Sequence, residues 1–222
     1  MSVDCHAGPC EDTARGGLAV SGPVLAATAW PTNAHMIEDV ARLGYLRSDW
    51  RTLDPTYGRG VWWGRWRPDD LVIHDRYTLD GVDFRRLPHE EGEFDAAAFD
   101  PPYVCVGGRQ STGLPDMHDR FGLTRAPASP DGVQEDINLG LCEMHRVVRA
   151  GGIVVVKCQD YVSSGQLQPG THWTLTAAFT LGFTLVDRLE HVAGVRPQPP
   201  GRRQVHARRN LSTLLVLRRG KQ

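Results

Sequence analysis

A short apolar run over residues 94–99 ends abruptly at the tetrapeptide Asp100-Pro101-Pro102-Tyr103. Proline fixes its own φ and offers no N–H to a sheet, so two successive prolines end a strand and hold the chain in an extended turn. A carboxylate, backbone carbonyls and an aromatic ring are thereby fixed at the carboxyl end of a strand. In open α/β sheets that edge is where ligands bind.

This set of groups suits methyl transfer to the exocyclic amine of a nucleobase. The lone pair of such an amine is delocalised into the ring, so the nitrogen is a poor nucleophile. Asp100 can accept one of its N–H bonds and the Pro101 carbonyl the other, which favours a tetrahedral nitrogen with an available lone pair. The Tyr103 ring can stack on the base. Catalysis of this kind depends on positioning and electrostatics.

The tetrapeptide resembles the signature of amino-group DNA methyltransferases, which use S-adenosyl-L-methionine (SAM) and methylate adenine N6 or cytosine N4. The resemblance implies a catalytic site formed by Asp100, Pro101, Pro102 and Tyr103. Adenine N6 is the predicted target, because the cytosine N4 relatives more often begin the tetrapeptide with serine. Cytosine N4 is the alternative.

The segment from Asp54 to Gly60 follows a predicted strand over residues 50–54 and reads Asp-Pro-Thr-Tyr-Gly-Arg-Gly. Glycines in such a turn let the backbone approach a ligand closely. The segment resembles the Asp-Pro-Phe-x-Gly-x-Gly motif that holds the methionine part of SAM. The cofactor-binding residues this implies are Asp54, Pro55, Thr56, Gly58 and Gly60. Residues 61–68 leave little room for a full helix, so the first crossover is predicted to be irregular.

Two further acids are candidate cofactor contacts. A second strand is predicted over residues 71–75 and ends in Asp75, whose two carboxylate oxygens match two vicinal ribose hydroxyls. Asp80 is the alternative for this role. Asp83 and Phe84 resemble the family's third motif, which implies that Asp83 meets the adenine amino group of SAM and Phe84 stacks on its ring. The cofactor motifs precede the catalytic tetrapeptide, an order that the family calls gamma.

Helices and strands alternate along the chain. Helical spacing predicts a first helix that begins at Thr32 or Asn33 and ends near Gly44. Two more helices are predicted over residues 134–149 and 173–182, and three more strands over 153–157, 183–192 and 210–218. The predicted fold is a single α/β domain of the Rossmann-like class I SAM-dependent methyltransferase type. Its sheet is expected to be mainly parallel, with a C-terminal antiparallel strand pair.

A chain of 222 residues is long enough for one well-buried domain and short for two. Residues 1–28 are small and polar without a sustained period, which predicts a flexible leader. Residues 29–222 are predicted to form the catalytic domain. Within it, residues 104–134 are predicted to be a substrate loop that orders over the target base, and residues 194–210 a basic loop.

Basic residues concentrate near the C-terminus, although the formal net charge of the chain is only −1. Residues 188–222 contain nine arginines and lysines against one acid, Glu190. This distribution predicts one phosphate-facing edge rather than a uniformly basic surface. The predicted nucleic-acid contacts are Arg109, Arg202, Arg203, Arg208 and Arg209.

The composition is ordinary for a globular protein, with 41% hydrophobic and 23% charged residues. No apolar run approaches the ~18 residues that a membrane span needs, and the five cysteines form no C-x-x-C pair. We therefore predict no membrane segment, no metal site and a cytoplasmic location. The predicted partner is double-stranded DNA, with single-stranded DNA as an alternative. The short recognition region also suggests a homodimer or a partner subunit.

Other functions stay open at this point. Tetrapeptides of this type also serve methylation of RNA and of protein glutamine; the arginine-rich loop favours nucleic acid but does not separate DNA from RNA. A non-catalytic nucleic-acid-binding subunit of the same fold would be distinguished by loss of SAM affinity. A dinucleotide-dependent dehydrogenase is disfavoured, because the chain lacks the full G-x-G-x-x-G motif.

Overall fold

The computed structural model describes residues 25–26, 30–105, 127–194, 201 and 203–221. Apart from residues 25–26, the predicted leader lies outside these ranges, as does most of the predicted substrate loop. Arg109 and Arg202 also lie outside the described residues.

The described residues contain three α-helices: α1 (Asn33–Arg42), α2 (Pro130–Val147) and α3 (Gly170–Thr180). The Thr32 hydroxyl caps α1 by accepting a hydrogen bond from the His35 N–H, as predicted for a residue of this type. The chain leaves α1 through Gly44, whose φ of +78° suits glycine. The first predicted helix is therefore confirmed.

Six strands form one sheet in the order β2-β1-β3-β4-β8-β7, and β5 and β6 form a separate antiparallel pair. The strands are β1 (Arg51–Asp54), β2 (Asp70–Ile73), β3 (Phe94–Phe99), β4 (Val148–Cys158), β5 (Tyr161–Ser163), β6 (Gln166–Gln168), β7 (Phe183–Val192) and β8 (Leu211–Arg219). The first four are mutually parallel. Strand β8 lies antiparallel between β4 and β7, which confirms the mainly parallel sheet with a C-terminal antiparallel pair.

Two predicted boundaries around α2 are wrong. The helix begins at Pro130, inside the predicted substrate loop, because Ser129 caps it and proline fits the first helical turn. It ends at Val147, and residues 150–152 belong to β4 instead of following the helix. Gly151 has a φ of +76°, and the β3–β4 register shifts between Phe94 and Ala96, so the strand continues through a local irregularity.

The first crossover is irregular, as predicted. Between β1 and β2 the chain forms only a 3₁₀ turn, Val61–Trp63, and residues 74–93 between β2 and β3 form no helix. Both connections start at the same edge of the sheet, the carboxyl edge at which the parallel strands β1, β2 and β3 end. Loops rather than helices therefore build this edge.

Side chains cover the sheet on both faces. One face packs against α2 and α3 and includes Phe99, which is fully buried. The other face packs against α1 and the buried tryptophans Trp62 and Trp63. Alternate residues of a strand point to opposite faces, so Ala96 and Ala98 of β3 face α1 while Phe99 faces α2. No helix in the described ranges has the length and apolar composition of a membrane span.

Candidate active site

Asp54 ends β1 and fixes the turn that follows it. Its Oδ1 accepts the Thr56 N–H at 3.0 Å, and its Oδ2 accepts the Trp63 indole N–H at 2.7 Å. Only 4% of the residue is exposed. Burial raises the pKa of Asp54 to about 7, and the negative charge of Asp100 acts in the same direction. Asp54 thus links the turn after β1 to the 3₁₀ turn Val61–Trp63 by hydrogen bonds.

The two glycines of this turn both have positive φ, +57° for Gly58 and +67° for Gly60. A Cβ at Gly60 would meet the end of the Tyr57 ring, and its positive φ strains other residues, so both observations favour glycine there. Pro55 lies in the turn itself, and the Tyr57 N–H donates to the His74 carbonyl at 3.1 Å, which joins the turn to the end of β2. The sequence motif therefore folds as a tight glycine turn at the carboxyl ends of two strands.

The Asp75 carboxylate holds this glycine turn in place. It accepts the Gly58 N–H at 2.9 Å and the N–H groups of Tyr77 and Thr78, each at 2.8 Å. The alternative acid, Asp80, pairs with the His74 ring at 2.5 Å. The lone pairs of Asp75 are thus largely occupied by backbone donors, and its predicted contact with a ribose stays a prediction.

Asp83 and Phe84 also have partners within the protein. The Arg85 guanidinium, at 2.6 Å, together with Arg76 holds the pKa of Asp83 below its usual range. The Phe84 ring is buried and packs edge-on against Phe99, with 5.3 Å between centroids. Their predicted contacts with the adenine of SAM stay predictions.

The tetrapeptide is linked to the glycine turn through Thr56. The Asp100 N–H donates to Thr56 Oγ1 at 2.8 Å, so one hydroxyl joins the predicted catalytic and cofactor motifs. The Asp100 Oδ1 atom is enclosed and has no hydrogen-bond partner among the described residues. Burial raises the pKa of Asp100, while the charge of Lys157 and the Trp62 indole act to lower it. The Trp62 indole N–H is likewise enclosed without a partner among the described residues, so it is one donor available to this carboxylate in the protein alone.

Lys157 of β4 is a site residue that the sequence patterns did not connect to Asp100. Only 4% of it is exposed; its Nζ donates to Asn33 Oδ1 at 2.8 Å and lies 5.8 Å from the centroid of the Tyr103 ring. Burial raises the pKa of Tyr103, so the phenol stays neutral. The sequence showed a lysine at the end of the β-branched run 153–157. It did not show that Asp100 is the neighbour of this lysine, because that depends on the order of the strands.

An open cleft of about 930 Å³ begins at Tyr103 and Lys157. Its walls include three of the predicted nucleic-acid arginines, Arg203, Arg208 and Arg209. The His206 ring donates to the Gly165 carbonyl at 2.8 Å, which attaches the basic segment to the β5–β6 hairpin. The structure therefore brings the tetrapeptide and the basic segment to one cleft.

Replacing Thr56 by valine tests the link between the two motifs. Valine has nearly the same shape but cannot accept the Asp100 N–H, so we expect unfolding free energy to fall by about 1–3 kcal/mol. Serine keeps the hydroxyl, and Thr56→Ser should lose less than about 1 kcal/mol. Urea unfolding of the three proteins measures the difference. Equal losses in both variants would show that the hydroxyl contributes nothing.

The raised pKa of Asp54 predicts a pH dependence of stability. A folded-state pKa of about 7 against the ordinary 3.8 means that the folded protein binds this proton more tightly than the unfolded chain. The stability that Asp54 contributes is therefore fully present below pH 3.8, its ordinary pKa. It is lost as the pH rises, by up to about 4 kcal/mol once the pH exceeds the folded-state pKa. Asp54→Asn has no such titration. The unfolding free energy of the wild type minus that of Asp54→Asn should fall from acid to neutral pH; a constant difference would contradict this prediction.

No protein-family model matches the chain, and no curated protein matches its sequence. Solved structures match it in fold. A candidate methyltransferase from Bacillus halodurans is 11% identical, with 83% of this chain and 99% of that chain covered and a TM-score of 0.51. The chain thus has a Rossmann-like methyltransferase fold, as predicted from the alternation of helices and strands.

Two further solved structures are similar at lower scores. A candidate DNA modification methylase from Thermus thermophilus, complexed with SAM, is 18% identical over 63% of this chain and 54% of that chain, with a TM-score of 0.44. A SAM-dependent methyltransferase from Methanosarcina mazei is 9% identical over 82% and 98%, with a TM-score of 0.43. The chain spans about half the length of the Thermus protein.

Proposed function

We propose that this chain is a SAM-dependent methyltransferase that methylates adenine N6 in DNA. The observation that carries the proposal is the Asp100 carboxylate oxygen, which is enclosed at the carboxyl end of β3 and lacks a hydrogen-bond partner among the described residues. A buried acceptor without a donor costs folding free energy. An amino group of a substrate would satisfy it.

The residues around Asp100 suit an amine that must become nucleophilic. Asp100 accepts one N–H of the amine and the Pro101 carbonyl the other, while Tyr103 stacks on the base. SAM, when bound, supplies an electrophilic methyl group. The nitrogen–carbon bond forms as the carbon–sulfur bond breaks, and the methylated nitrogen then releases a proton to water. Asp100 contributes charge and orientation at the nitrogen.

The glycine turn after β1 supports the choice of SAM as cofactor. Gly58 and Gly60 expose backbone without a Cβ, and Thr56 joins this turn directly to Asp100, so a cofactor held here would lie beside the amine. The proposed cofactor contacts are Asp54, Pro55, Thr56, Gly58, Gly60, Asp75, Asp83 and Phe84.

DNA is the proposed substrate because basic residues flank the cleft that begins at Tyr103. Arg203, Arg208 and Arg209 line this cleft and can neutralise phosphates while a base reaches Tyr103. Extracting a base from a duplex costs a few kcal/mol, and stacking on an aromatic ring returns about 1–3. Single-stranded DNA, RNA and a cytosine amine are the alternatives that the experiment must separate.

The test is methyl transfer from labelled SAM to duplex DNA, single-stranded DNA and RNA, with products digested to nucleosides for mass spectrometry. We expect N6-methyladenine in DNA, lost in Asp100→Ala. Asp49→Ala is the matched control, because Asp49 is exposed, pairs with Arg47 and precedes β1 at the opposite edge of the sheet. Transfer to RNA alone, or SAM binding without transfer, would contradict the DNA substrate. Absence of SAM binding would contradict the proposal that the chain is a SAM-dependent enzyme.

We also propose that a second copy or a partner chain helps to hold the DNA. The reason is that the predicted substrate loop, residues 104–134, is short for a dedicated recognition domain. Light scattering measures this directly. A mass equal to one chain, both with and without DNA, would contradict a homodimer.

A further inference from the structure

Lys157 and Asp100 lie side by side at the ends of neighbouring parallel strands. Phe99 of β3 pairs in register with Val156 of β4, and each of the two charged residues comes next along its strand. Alternate strand residues share a face. Asp100 therefore continues the row of Ala98, and Lys157 that of Val155, and both rows face α1.

Two contacts fix the Lys157 ammonium in this position. It donates to the Asn33 side chain at the first residue of α1, and it lies over the Tyr103 ring at 5.8 Å. An ammonium has three donors, and a cation over an aromatic face is attracted by the ring. One buried charge thus connects α1, Tyr103 and the neighbourhood of Asp100.

Lysine is rare in this chain, in which nearly all the basic residues are arginines. The 222 residues contain 25 arginines and lysines, of which only Lys157 and Lys221 are lysines. Lys221 is exposed near the C-terminus, whereas Lys157 is buried. A compact ammonium on a flexible stem fits a confined position in which a planar guanidinium would need more room.

We propose that Lys157 is a positioning residue that keeps the Asp100 carboxylate ionised and holds Tyr103 in place. The kinetic consequence of this inference rests on the proposed methyltransferase function. The electrostatic consequence does not, because it concerns only the protonation of Asp100 in the protein alone.

Among the described residues, the other titratable groups around this pair supply no positive charge to Asp100. From β1, the Asp54 carboxylate acts against ionisation of Asp100. Tyr103 faces the pair as a neutral group, since burial raises the pKa of its phenol. His191 of β7 faces Lys157, and burial lowers its pKa, so it stays neutral. Burial lowers the pKa of Lys157 and the charge of Asp100 raises it, so the two buried charges support each other, and Lys157 opposes the effect of burial at Asp100.

The test compares Lys157→Met, Lys157→Arg and the matched control Lys221→Met. The first readout is the ¹³C NMR titration of the Asp100 carboxyl, assigned with Asp100→Asn. The second is the pH profile of methyl transfer. In Lys157→Met we expect the Asp100 midpoint to rise by about one pH unit and the rate on the acid limb to fall about tenfold. Lys157→Arg should recover part of both changes, and Lys221→Met should match the wild type.

A folded Lys157→Met protein with the Asp100 titration of the wild type would overturn the inference. If Lys157→Met does not fold, Asn33→Ala replaces it, because this change removes one anchor of the ammonium. A smaller midpoint shift in the same direction is then expected, and no shift would also overturn the inference. If the wild type transfers no methyl group, the proposed function fails, but the NMR titration still decides the role of Lys157.

Discussion

Methyl transfer by an Asp100→Ala protein is expected to be about 10²–10³ times slower than that of the wild type at saturating substrate. This is the usual cost of removing one preorganised hydrogen-bonding group from the reacting atom. Asp100→Asn keeps a carbonyl oxygen that can accept the same N–H without the charge, so its loss should be smaller. Single-turnover rates with labelled SAM measure both. Equal and small losses would show that Asp100 does not contact the amine.

The stability of the same variants separates loss of chemistry from loss of fold. The Asp100 carboxylate is enclosed and one of its oxygens has no partner among the described residues, so removing it removes a buried charge. The same change leaves the buried Lys157 ammonium without its counter-charge, which opposes this gain, so we expect the unfolding midpoint of Asp100→Ala to stay close to that of the wild type. A marked fall in the unfolding midpoint would attribute lost activity to misfolding instead.

Phe99→Ala is expected to lower the free energy of unfolding by about 3–5 kcal/mol, the usual cost of deleting a fully buried phenyl ring. Phe99 has no exposed surface and packs against Phe84 and α2, directly before Asp100 in the chain. The ring is therefore part of the support that fixes the turn at Asp100. Urea unfolding at constant pH gives the value.

Phe179 provides the matched control for this substitution. It lies on α3 and is 53% exposed, so Phe179→Ala removes the same atoms from a position that water already reaches. We expect its unfolding free energy to change by less than about 0.5 kcal/mol. A loss in Phe99→Ala no larger than that of Phe179→Ala would contradict the packing that we describe.

Local chemistry in the sequence was enough to predict much of this edge of the sheet. Two prolines after an apolar run marked the end of β3, and the glycines at 58 and 60 marked the turn after β1. Both signals act over a few residues, because proline and glycine restrict or extend backbone angles directly. The irregular first crossover was likewise visible in the short spacing between β1 and β2.

Contacts between distant residues could not be predicted in the same way. Lys157 lies beside Asp100 only because β3 and β4 are neighbours in a particular register, and Asn33 reaches Lys157 only because α1 packs on that face. Asp75 was assigned to a ligand because it ended a strand, yet its oxygens accept backbone N–H groups of nearby turns. An acid at the end of a strand can bind a ligand or accept backbone N–H groups, and which of the two it does depends on the fold of the following loop. The start of α2 was missed although Ser129 and Pro130 signal it locally.

The loop-built edge around β1 and β2 has a consequence for how the protein opens in solution. Strands β4 and β8 are buried between helices, whereas β2 is an edge strand whose residues are partly exposed and whose connections contain no α-helix. Amide hydrogens in β2 should therefore exchange through local opening, while those of β4 and β8 require global unfolding. A ligand that binds the glycine turn only in the folded state would stabilise the loops around β1 and β2. It would therefore slow amide exchange in β2 more than in β4 and β8.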